Sequence, residues 1–84
     1  MSLSAAERIR ALVDQARHRA ATTGRPLDLR SVYVAVLVRC GICTEDASRL
    51  VTDDDQDSIR SILHFAGDAH NFAVLAVEEA LATA

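Results

Sequence analysis

Val32-Tyr33-Val34-Ala35-Val36-Leu37-Val38 is the stretch on which the fold turns. Its β-branched content suits a strand, and because every position is apolar there is no alternation to separate strand from helix. The surroundings decide. No other segment supplies a strand for it to pair with, and a lone strand leaves its backbone N–H and C=O groups without partners. Asp28 stands just upstream as a helix cap, and Gly41 follows Cys40 as a stop. The segment therefore predicts a central helix from Asp28 to Cys40, buried on most of its sides.

The neighbouring segments read as helices too. Ser4-Ala5-Ala6-Glu7 has capping-box spacing, and Ile9, Leu12, Val13, Ala16 and Ala20 recur at helical intervals, so a helix is predicted over about 4–23. Thr23-Gly24-Arg25-Pro26 ends it. After the central helix, Thr44 with Glu45 and Asp46 reads as an N-cap and acidic first turn of a short third helix carrying Ala47, Leu50 and Val51. The acidic run Asp53 to Asp57 opens a fourth, with Ile59, Ile62, Leu63 and Ala66 as its inner stripe. Gly67 interrupts the pattern. From about Asp68 it resumes as Ala69, Phe72, Ala73, Ala76, Val77, Ala80 and Leu81, either a kinked continuation or a fifth helix, with Val74 and Leu75 widening the apolar face. The fold class expected is all-α: a compact bundle of four to five helices in one domain over residues 1–84.

Composition narrows the function classes. A chain of 84 residues with 50% hydrophobic content builds one core and excludes two-domain enzymes, doubly wound nucleotide folds and barrels. The longest apolar runs, Val32 to Val38 and Phe72 to Val77, fall short of the roughly 20 residues of a membrane helix. Met1-Ser2-Leu3-Ser4 lacks the features of a signal peptide, so a cytoplasmic protein without membrane attachment is expected. All nine basic residues are Arg; residues 1–42 carry +4 and residues 43–84 carry −7. Such bipolarity either steers association or marks two solvated helix faces. Nucleic acid is not expected, because the overall acidity and the Asp53–Asp57 run repel phosphate.

Three chemical readings compete. Cys40-Gly41-Ile42-Cys43 has the spacing of a redox dithiol or of half a zinc site, but zinc needs two more ligands, and His64 and His70 do not share a face of a straight helix. A reactive thiolate favours a helix N-terminus, whereas Cys40 falls at a C-terminus; the helical peroxidase-reductase family carries a His where this chain has Asp46. Cys40 is therefore read as a small core residue and Cys43 as a partly exposed turn residue. His18, His64 and His70 have no Ser or Cys motif nearby, and there is no Gly-rich phosphate loop, so neither enzyme activity nor a cofactor is expected. Residues 33–52 also fit a helix-turn-helix, yet the would-be recognition helix presents Thr44, Glu45, Asp46, Ser48 and Arg49, two of them anions.

Taken in order, the Ala/Arg-rich first helix, Gly24, Leu27-Asp28-Leu29-Arg30-Ser31-Val32-Tyr33-Val34-Ala35-Val36-Leu37, Ala47-Ser48-Arg49-Leu50 and Asp57-Ser58-Ile59-Arg60-Ser61-Ile62-Leu63 resemble one repeat of the Clp ATPase N-terminal domain. The resemblance covers residues 1–66 in outline, and 68–83 is an extra C-terminal helix, similar to the first helix of a second repeat. It implies a non-enzymatic receptor for protein or peptide segments, a chaperone-related adaptor or regulator with the Clp machinery among its partners. In members of that family that take phosphoarginine, an acidic residue follows the cap; here the corresponding position is Arg30, with Ser31 next, which sets like charge against that ligand. Arg30, Ser31, Phe72, Leu75 and Glu79 are the candidate partner-binding residues. The over-apolar last helix points to self-association, with Phe72 and Leu75 at the contact of two copies that together resemble the two-repeat domain.

Overall fold

The computed structural model describes residues 3–83 and, among them, five α-helices and no strand: α1 (Ala5–Thr23), α2 (Leu29–Arg39), α3 (Thr44–Leu50), α4 (Asp55–Ala66) and α5 (His70–Ala82). The all-α bundle is what the sequence leads one to expect. α1 begins in a closed capping box: the Glu7 N–H donates to Ser4 Oγ and the Ser4 N–H to Glu7 Oε1, each at 3.2 Å. It ends at Gly24, whose φ of 70° is the left-handed conformation that a side chain would strain. α2 is capped by Asp28, which accepts from the Ser31 N–H at 3.2 Å and from the Ser31 hydroxyl at 2.6 Å. The Ser31 bonds hold the Asp28 carboxyl below the usual carboxylate range, and the Ser4 bonds do the same for Glu7.

α2 departs from expectation in depth. It buries Val32, Tyr33, Val36 and Leu37, while Ala35, Val38 and Arg39 are exposed. It is covered on one broad side, not on most sides. The reason is size: the Cα framework measures 37 × 34 × 21 Å, and its thin dimension admits two helix diameters of about 10–12 Å. A two-layer bundle cannot enclose a helix all round. The core itself is closed, with Ile9, Val36, Leu37, Ala47, Ile62, Ala73, Ala76 and Val77 all at 0% exposure. Truncating Leu37 or Ile62 to Ala would cost about 2–5 kcal/mol.

Helix ends shift from the expected positions. Cys43, not Thr44, is the N-cap of α3, because the Ala47 N–H already bonds to Cys43 O at 2.9 Å; Cys43 makes no side-chain cap bond. Asp54 caps α4, accepting from the Gln56 N–H at 2.9 Å. The turn between α3 and α4 is held by Ser58, a fully buried polar residue that accepts from the Thr52 N–H and donates to Thr52 O, both at 3.3 Å. Gly67, at φ 59°, ends α4 outright, and the Ala69 N–H turns back to Ala66 O at 3.0 Å. α5 is thus a separate helix that starts two residues later than Asp68.

α5 also inverts one inward assignment. Val74 is buried at 3% exposure and Phe72 lies half-exposed at 41%, where the spacing puts Phe72 inside and leaves Val74 to widen the face. Ala73, Val74, Ala76, Val77 and Leu81 make one stripe, packed against α1, α2 and α4; Phe72, Leu75 and Glu79 make the opposite one. Apolar side chains occupy both, so periodicity cannot choose between them.

The two charged halves of the chain are folded onto each other. Tyr33, 1% exposed, donates its hydroxyl to Asp55 Oδ1 at 3.0 Å, and Arg17 pairs with the other oxygen of the same carboxylate. This chain of bonds joins α2, α4 and α1. Burial first, then the hydrogen bond and charge of Asp55, push the Tyr33 phenol well above its ordinary value. Arg39 of the basic half likewise meets Glu79 of the acidic half at 2.6 Å. Part of the expected bipolarity is therefore cancelled inside the fold.

Candidate functional site

The exposed faces of α2 and α5 meet on one side of the bundle. α2 brings Ala35 and Arg39 to it, with Val38 exposed on the flank toward α3, and α5 contributes Phe72, Leu75 and Glu79. Val38 is 41% exposed, Phe72 41% and Leu75 56%, a large apolar share for a surface kept open. Arg39 reaches from α2 across α5: its Nη1 donates to Glu79 Oε2 at 2.6 Å, and its guanidinium carbon lies 5.3 Å from the Phe72 ring centroid. An exposed cation–π contact and an exposed ion pair are each worth about 0.5–1 kcal/mol at most. They orient Arg39 more than they stabilise the fold.

A groove runs along each flank of α2. The one toward α5, about 570 Å³, is walled by Ser31, Val32, Ala35, Arg39, Glu79 and Ala80, with Pro26, Asp28 and Thr83 completing its lining. The other, about 490 Å³, lies toward α3, where Arg30, Val34, Val38, Thr44 and Ser48 join the shared residues Ser31, Ala35 and Arg39. Ser31, Ala35 and Arg39 stand four residues apart, so they form the crest of a ridge between two grooves. Both grooves are open and shallow, suited to side chains of another polypeptide more than to enclosing a small molecule.

No family model, curated protein or solved structure matches this chain.

Of the residues singled out from sequence, Phe72, Leu75 and Glu79 fall on one stripe of α5, at the face. Ser31 is at the ridge crest, its hydroxyl engaged by Asp28. Arg30 turns away: its Nη1 donates to Val51 O at 3.1 Å and its Nη2 to Ser48 O at 2.7 Å, so the guanidinium satisfies orphan carbonyls at the C-terminus of α3. Arg39 is the residue that sequence reasoning missed. In the chain it reads as a cation at a helix C-terminus, and its partner is 40 positions away.

The competing chemistries find less in the geometry. Cys40 and Cys43 are free thiols, Cys40 half-buried and Cys43 exposed, so Cys40 sits less deep than a core residue. Burial pushes the Cys40 thiol up, with Arg39 only partly offsetting it, which is the opposite of an activated thiolate. Among the described residues no group of three His, Cys, Asp or Glu side chains gathers as a metal site. His64 packs edge-on to Phe65, centroids 5.0 Å apart. α3, the would-be recognition helix, is seven residues long, and Arg49 faces Glu45 at 3.7 Å and Asp46 at 3.9 Å within it. Such a surface offers phosphate no free cation of its own. No helix among the described residues is long and apolar enough to cross a membrane.

Proposed function

We propose that the chain is a non-enzymatic protein–protein interaction module, a cytoplasmic adaptor or regulator of the Clp receptor-repeat kind, whose docking surface is the α2/α5 face. The observation that carries this reading is Arg39 of α2 laid over half-exposed Phe72 of α5 and paired with Glu79, with exposed Leu75 on the same stripe of α5 and half-exposed Val38 one residue before Arg39. Apolar and aromatic side chains beside an Arg are the composition in which interface energy concentrates. The support for the Clp-like part is the helix order: an Asp-capped apolar α2, a short α3 bearing Ala47 and Leu50, and an Asp-capped α4.

The test is binding to purified Clp N-terminal domains and adaptors, by the wild type and by Leu75→Asp and Val38→Asp. Both side chains are exposed, so both variants should melt with the wild type. Replacing an apolar side chain at the centre of an interface should cost about 2 kcal/mol, roughly thirtyfold in Kd. Arg19→Glu on the outer side of α1 serves as the control and should bind unchanged. Equal binding by all four proteins would remove the α2/α5 face as the docking surface, and binding by none would remove the Clp part.

A further inference from the structure

We draw no further inference here: the strongest candidate, the cleft of about 320 Å³ between α1 and α4 that Arg10 and Arg60 line, carries nothing, because Glu7 lines it beside them, Asp57 meets Arg60 at 3.7 Å, and nothing in the structure shows what would occupy it.

Discussion

Replacing Tyr33 with Phe tests the internal network that sets α2 against α4 and α1. The substitution keeps the ring in a site of 1% exposure and removes a hydroxyl that donates to Asp55 Oδ1 at 3.0 Å. Hydrogen bonds to charged groups contribute about 1.5–3 kcal/mol. The Asp55 side chain is 22% exposed, so water partly replaces the lost donor and the lower end, about 1.5 kcal/mol, is expected at neutral pH. For a domain of this size that lowers Tm by roughly 6–12 °C, read by far-ultraviolet circular dichroism. Alkaline titration adds a second signature. In the unfolded chain the phenol ionises near pH 10, whereas the fold keeps it protonated, through burial first and then the Asp55 bond and charge. The native state therefore holds the extra proton, and Tyr33 contributes stability that is complete below the unfolded value and is lost as pH rises through it toward the raised one. The loss has a limiting slope of about 1.4 kcal/mol per pH unit. Tyr33→Phe lacks this term, so the stability gap between the two proteins should be flat below the phenol's unfolded value and shrink above it. Cys40, also raised by burial, titrates in the same sense in both and cancels in the difference. An unchanged Tm at neutral pH, or a gap that does not narrow on the alkaline side, would refute the network.

Two further outcomes are expected. Arg30→Met keeps the aliphatic stem but gives up the bonds to Ser48 O and Val51 O, so thermal unfolding should show a loss of about 1–2 kcal/mol while binding through the α2/α5 face is unchanged. Weakened binding at an unchanged Tm would instead make Arg30 a partner contact. Alkylation followed by mass spectrometry at neutral pH should modify exposed Cys43 well before Cys40, whose thiol burial keeps protonated; equal or reversed rates would contradict the geometry.

How far the sequence reaches depends on whether an interaction is local. The capping box at Ser4 and Glu7, the Asp28 cap and the stop at Gly24 are each made by groups about one helical turn apart, so spacing alone locates them. The cap of α3 falls one residue before Thr44 because the backbone bond from the Ala47 N–H to Cys43 O, not the hydroxyl, starts the helix. Ser58 gives no signal, since its partners are the backbone groups of Thr52 across a turn. Among candidate site residues, Phe72, Leu75 and Glu79 are legible as helical neighbours, while the roles of Arg30 and Arg39 are not, because a long cationic side chain takes whichever acceptor tertiary packing brings within reach.

The chain by itself determined an all-helical bundle: apolar spacing, caps and glycine stops act over a single turn, and no segment was present to pair as a strand. Tertiary structure alone decided which face of α2 and of α5 is turned outward. Both helices are apolar on more than one side, and a bundle only 21 Å thin can cover just one side of each.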